Sequence, residues 1–123
     1  MSALRGKRIL VVEDEPIVAM SLEGILEDLE AVVVGPVGTV AQALRLAADE
    51  GYDAALLDIN INGERSYPVA ELVKNRNIPL VFASGYGDSG WDGAPEAPVI
   101  GKPYNRDQLA RALGGVLGAG NGR

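Results

Sequence analysis

Lys7-Arg-Ile-Leu-Val-Val-Glu-Asp-Glu-Pro16 is the stretch on which the reading of this chain turns. Ile9 to Val12 is a compact, β-favouring apolar run, the signal of a buried strand. Two acids, Glu13 and Asp14, follow at its carboxyl end, and Pro16 stands where the first turn of a helix tolerates it. Val18, Leu22, Ile25, Leu26 and Leu29 then fall at i, i+4, i+7, i+8 and i+11, which is one face of a helix.

Outward from this unit the same alternation repeats. Ala31 to Val34 predicts a second strand, closed by Gly35-Pro36. Thr39-x-x-Gln42 has the form of a capping box and opens a helix striped by Val40, Ala43, Leu44 and Ala47, which Gly51 ends. Asp53 to Ile59 predicts strand three, and Val69, Leu72 and Val73 mark a shorter helix up to about Arg76. Ile78 to Ala83 and Ala97 to Ile100 predict strands four and five. Asn105-x-x-Gln108 opens a last helix with the stripe Leu109, Leu113, Val116 and Leu117, and Tyr104 pairs with Leu109 as its hydrophobic staple. Between strands four and five stand Gly85, Gly87, Gly90, Gly93 and Pro95. Each Gly inside a helix costs about 1 kcal/mol relative to Ala, so the fourth helix is expected to be short or irregular. This alternation implies an α/β domain, a doubly wound parallel sheet with helices on both faces. It occupies residues 1–117, with 118–123 expected as a flexible Gly-rich tail.

Composition narrows the chemistry. A length of 123 residues suits one domain. With no cysteine and no histidine, disulfides, zinc-thiolate and His-metal sites, His-based triads and an internal phosphohistidine are all excluded. The net charge is −6 and the 11 basic residues are scattered, which argues against non-specific nucleic-acid binding. The longest apolar runs, such as Ile9–Val12 and Ala31–Val34, reach only four residues, far from a membrane span or a signal peptide. A cytoplasmic protein with no membrane contact is the expectation.

In open parallel α/β sheets ligands bind beyond the carboxyl ends of the strands. Strand one ends in Glu13-Asp14, strand three in Asp58, strand four in Ser84 and strand five in Lys102. In the common flavodoxin-like order 2-1-3-4-5 these strands are neighbours, and their terminal side chains converge on one pocket. Three carboxylates so close repel by several kcal/mol per pair and stay ionised together only around a cation. Hard oxygen ligands completed by water suit Mg²⁺. A carboxylate can attack phosphorus and form an aspartyl phosphate, whose oxygens a metal, a lysine and a hydroxyl can share. Asp58 lies centrally and is read as the nucleophile. Singly, each residue has an ordinary reading: Glu13-Asp14 as a helix cap, Asp58 as a turn carboxylate, Ser84 as a strand end, Lys102 as a surface lysine.

In order and spacing, Glu13-Asp14, Asp58, Ser84 and Lys102-Pro103 resemble the receiver domain of two-component response regulators, over nearly the whole chain. Leu57-Asp-Ile-Asn-Ile-Asn-Gly-Glu64, Pro68-Val-Ala-Glu71 and Pro79-Leu-Val-Phe-Ala-Ser-Gly-Tyr-Gly87 look like the "FAT GUY" subgroup of single-domain receivers, with Ser84 where Thr is usual. The resemblance implies a flavodoxin-like (βα)5 fold and a phosphoryl group received by Asp58 from the histidine of a kinase or histidine phosphotransfer protein. Asp14, Asp58 and the Asn60 carbonyl would hold Mg²⁺, with Glu13 acting directly or through water. Ser84 and Lys102 would contact the phosphoryl group, Gly85 would leave it room, and Asn60 and Tyr86 would tune its lifetime. The Lys102-Pro103 bond would be cis.

Two positions depart from the pattern. The switch aromatic expected three residues before the lysine is Val99, and Tyr86 is expected to take over part of its role. The frequent Pro four residues after the phosphoacceptor is replaced by Asn62-Gly63. Because the chain ends after its last helix, a stand-alone signalling receiver is expected, passing its signal by contact with a downstream protein or by onward phosphotransfer; it would catalyse only its own phosphorylation and dephosphorylation. Two alternatives compete: a degenerate receiver that binds partners without phosphorylation, and a small Mg²⁺-dependent phosphatase of the haloacid-dehalogenase type. The phosphatase needs an Asp two residues after the nucleophile, where Asn60 stands. Gly85-Tyr-Gly-Asp-Ser-Gly90 spells G-x-G-x-x-G, but it follows the fourth strand rather than the first, and Gly93 and Pro95 spoil the helix a dinucleotide site requires. Trp91 reads as a lid on the sheet edge or as a partner anchor.

Overall fold

The computed structural model describes residues 3–85, 96–102 and 104–121. Tyr86, Trp91 and Pro103, and with them the expected irregular fourth helix and cis bond, lie outside the described residues. Five parallel strands form one sheet: β1 (Arg8–Val12), β2 (Val32–Val37), β3 (Ala54–Asp58), β4 (Leu80–Ser84) and β5 (Val99–Gly101). Their spatial order is β2-β1-β3-β4-β5, as the flavodoxin-like reading expected. The described helices are α1 (Pro16–Asp28), α2 (Val40–Asp49), α3 (Tyr67–Asn75) and α4 (Arg106–Asn121).

The pleat of β1 shows why this sequence makes two layers of helix. Leu10 and Val12 join a core with Leu57 and Phe82 under α2 and α3, through Ala43, Ala47, Val69 and Val73. Ile9 and Val11 point the other way, into a core with Leu56 and Val81 under α1 and α4, through Leu22, Leu26, Leu109 and Leu113. β3 is buried along its whole length, Asp58 included, which fits a central strand covered on both faces.

The helix starts follow the capping signals. Thr39 Oγ1 accepts the Gln42 N–H at 3.1 Å and donates to Gln42 Oε1 at 3.2 Å. Asn105 and Gln108 form the full reciprocal box, each side-chain oxygen accepting the other's backbone N–H at 2.9 Å. Tyr104 and Leu109 pack into the same apolar cluster.

Two boundaries and one added element differ from expectation. β2 does not stop at Gly35-Pro36 but runs through it to Val37, with a register shift against β1 between Leu10 and Val12. An edge strand has no second neighbour that needs the missing proline N–H, and a bulge absorbs the irregularity. Gly35 makes this possible: its φ is +102°, and a Cβ there would sit 3.0 Å from the Val11 carbonyl oxygen. The backbone of α4 continues to Asn121, four residues beyond the stripe that ends at Leu117 and into the stretch expected as tail. Finally, Asn60–Ile61 and Glu64–Arg65 pair as a short antiparallel hairpin between β3 and α3, an element the sequence reading did not assign.

Candidate functional site

Each site residue is placed by the end of a strand. Glu13 and Asp14 follow β1, Asp58 closes β3, Ser84 closes β4 and Lys102 follows β5. The Lys102 N–H donates to the Ser84 carbonyl at 2.9 Å, so the pairing of β4 with β5 itself sets lysine beside serine. The Ile59 N–H bonds the Ala83 carbonyl at 3.0 Å and fixes the turn out of β3 in the same way.

Carboxylate oxygens from Glu13, Asp14 and Asp58 all lie within 4.8 Å of one another. Glu13 and Asp58 are 4% and 5% exposed. Into this group reaches Lys102, whose Nζ donates to Asp58 Oδ2 at 2.7 Å and approaches Glu13 Oε1 at 3.0 Å. Glu13 Oε2 also accepts the Glu15 N–H at 3.1 Å, and Asp58 Oδ1 accepts the Asn60 N–H at a long 3.4 Å. Glu15, the residue preceding α1, makes no side-chain cap, so the capping role considered for the acid pair shrinks to that one Glu13 bond. Of the side chains expected to converge, Glu13, Asp14, Asp58 and Lys102 thus meet at one edge of the sheet.

The electrostatics follow from burial. Loss of water pushes the Glu13 carboxyl up to about 7, with the nearby Asp58 charge adding to the rise and Lys102 working against it. Burial raises Asp58 as well, again opposed by Lys102. Burial acts against the lysine charge too, but its two carboxylate partners outweigh that and push Lys102 upward. One ammonium cannot neutralise three carboxylates, so the site is left short of positive charge. Three oxygen donors of this kind fit a small divalent cation such as Mg²⁺.

The remaining expected residues fall as follows. Ser84 is half-buried, with Oγ donating to the Gly85 carbonyl at a long 3.4 Å. Gly85 lines a cleft of about 540 Å³ with Lys102, Tyr104, Glu15 and the α1 residues Ile17, Val18 and Ser21. Asn60 is exposed at the start of the hairpin. Val99 is on edge strand β5, paired with Phe82 and 44% exposed. The sequence reading missed two contributors. Tyr104 brings a hydroxyl that is buried without a hydrogen-bond partner among the described residues, and burial together with the Glu13 charge raises its pKa. Asn62 donates its backbone N–H to Asp14 Oδ2 at 2.8 Å. Its signal was legible: Asn-Gly between Ile61 and Glu64 is the strongest short-range mark of a hairpin turn.

A five-stranded parallel α/β sheet with acids, hydroxyl and lysine at its carboxyl edge defines a class, and comparison with known proteins agrees with it. The chain belongs to the response regulator receiver domain family, whose model matches residues 9–113. It is 50% identical to SdrG from Sphingomonas melonis, whose solution structure superposes with a TM-score of 0.80 over 95% of this chain and 99% of that one. It is 27% identical, with a TM-score of 0.81 over 92% of this chain and 98% of the other, to the receiver domain of the sensor histidine kinase PA1611 from Pseudomonas aeruginosa, described with a magnesium ion coordinated in the active-site cleft. The phyllosphere-induced regulator PhyR of Methylorubrum extorquens is 28% identical over 122 residues, covering 95% of this chain and 46% of PhyR. The chain thus spans about half the length of the curated relatives it matches. Among the described residues no helix is long and apolar enough to cross a membrane.

Proposed function

We propose that this receiver accepts a phosphoryl group on Asp58 from the histidine of a kinase or phosphotransfer protein. The observation that carries the reading is the meeting of Asp58 with Lys102 at 2.7 Å, inside a cluster that also holds Glu13 and Asp14. A carboxylate oxygen of Asp58 forms the new P–O bond while the donor's P–N bond breaks, its electron pair leaving with the imidazole nitrogen. Histidine is absent from these 123 residues, so the donor histidine lies outside them. Lys102, already on Asp58 Oδ2, is placed to follow negative charge onto the phosphoryl oxygens. Ser84 at the end of the neighbouring strand supplies a hydroxyl, and Gly85 beside it has no side chain to obstruct the group. Glu13, Asp14 and Asp58, with the Asn60 carbonyl, would hold Mg²⁺, which when bound neutralises charge on the transferring group.

The cleft beside Lys102 gives the donor its approach. On α1, Ile17 and Met20 are 81% and 69% exposed, apolar surface of the sort a partner helix covers, and Ile17 lines the cleft itself. The output is contact with a downstream protein or onward phosphotransfer. Purified histidine kinases carrying labelled phosphate test the reading directly. Label should move to the wild-type chain in Mg²⁺ and not to Asp58→Asn. If Asp58→Asn is labelled, or if it signals like wild type in cells, the phosphoacceptor reading fails and a phosphorylation-independent binding module takes its place.

A further inference from the structure

We propose that Asn62 is a positioning residue for Asp14, holding that carboxylate in the cation cluster through a turn tied to two other loops. The inference rests on the cation site argued above. Asn62 and Gly63 have φ of 51° and 82° and join Ile61 to Glu64 as a two-residue hairpin loop, the backbone of a type I′ turn. Asn is among the few residues with a side chain that tolerate this region. Ile61, fully buried in the core under α2 and α3, anchors the hairpin from below.

Two bonds leave the turn. The Asn62 N–H donates to Asp14 Oδ2 at 2.8 Å, and its side-chain Nδ2 donates to the Gly38 carbonyl at 3.0 Å. Gly38 in turn lies against the acid pair: a Cβ there would come within 3.5 Å of the Asp14 Cα and 3.6 Å of the Glu13 carbonyl oxygen. One residue thus joins the loops after β1, β2 and β3. Asp14 needs such a tie. It is more exposed than Glu13 and Asp58, and their charges push it towards water. A donor on one oxygen occupies one of about four lone-pair sites and leaves the rest for a cation. Outer partners that orient a metal ligand in this way typically contribute about 10–100-fold in metal affinity.

Two measurements on the full chain test the inference. The first is amide exchange by NMR without Mg²⁺. The Asn62 amide should be protected in wild type and exchange about tenfold faster or more in Asp14→Ala, as loss of a bond to a charged acceptor implies. An unprotected amide, or protection indifferent to Asp14, overturns the proposal. The second is Mg²⁺ calorimetry, with thermal midpoints recorded in its absence. Asn62→Ala, which strains the turn and loses the tie to Gly38, should bind Mg²⁺ about tenfold more weakly. Asn62→Gly keeps the backbone angle and the N–H, so it should retain its metal-free midpoint within a few degrees yet still lose affinity about threefold. If Asn62→Ala folds poorly, Asn62→Gly alone decides. Wild-type affinity in the variants overturns this proposal and leaves the cation site standing; a wild-type chain that binds no Mg²⁺ overturns both.

Discussion

Lys102 acts in the metal-free protein as the counter-charge that a cation would otherwise supply. Its ammonium joins Asp58 and Glu13, two carboxyls that burial would otherwise drive to take up protons. The pH dependence follows from the direction of those shifts. Glu13 titrates at about 7, above its ordinary value of 4.5, so the stability its proton contributes is full below about 4.5 and is lost as pH rises through about 7. Asp58 is shifted with the same sign. Lys102→Met should therefore destabilise the Mg²⁺-free chain by about 3 kcal/mol at pH 8, where two buried carboxylates lose their partner. At pH 5 the cost should be clearly smaller, because Glu13 then carries its proton and no longer needs the lysine charge. Urea unfolding at both pH values checks this, and equal costs would contradict the electrostatic account. At this scale the sequence showed the acids and the lysine because each stands within two residues of the end of an apolar run. It did not show Tyr104 or Asn62 at the site, because their places depend on which loops lie side by side.

Among the elements, β2 and the hairpin show how far local pattern reaches. Gly35-Pro36 reads locally as a stop, yet the strand passes through it, since an edge strand can carry a bulge where a central strand cannot. Gly35→Ala should cost about 2 kcal/mol or more, from a side chain forced to φ +102° and pressed on the Val11 carbonyl. Denaturant unfolding would register the loss, and a neutral result would mean that the bulge relaxes freely. Asn62-Gly63 illustrates the reverse case. The turn signal is complete in the sequence, yet strands of two residues each are too short to show the alternation that marks a hairpin. The helix starts at Thr39 and Asn105 were legible because capping is a contact over three residues, decided within the segment itself.

For the molecule as a whole, the sheet order turns residues far apart in the chain into one charged cluster. Asp58 and Lys102 are 44 positions apart, and Asn62 and Asp14 are 48 apart. A ligand that binds only this assembled form stabilises it by linkage, by about 2.7 kcal/mol when present at a hundred times its dissociation constant. Mg²⁺ at millimolar concentration should therefore raise the thermal midpoint. The rise should be larger at pH 8 than at pH 6, because Glu13 must give up its proton for the cation. A midpoint unmoved by Mg²⁺ at pH 8 would argue against the metal site.

The sequence by itself determined the alternation of strands and helices, the two-faced burial of the central strands, the helix caps, and which polar side chains end each strand. Those features depend on contacts within a few residues or on a periodicity that survives in any context. Only the tertiary structure decided that Lys102 bridges Glu13 and Asp58, that β2 runs through its proline, and that Asn62 braces Asp14 from a neighbouring loop. Each of these is a contact between segments distant in the chain, whose geometry exists only once the sheet has set their strands in order.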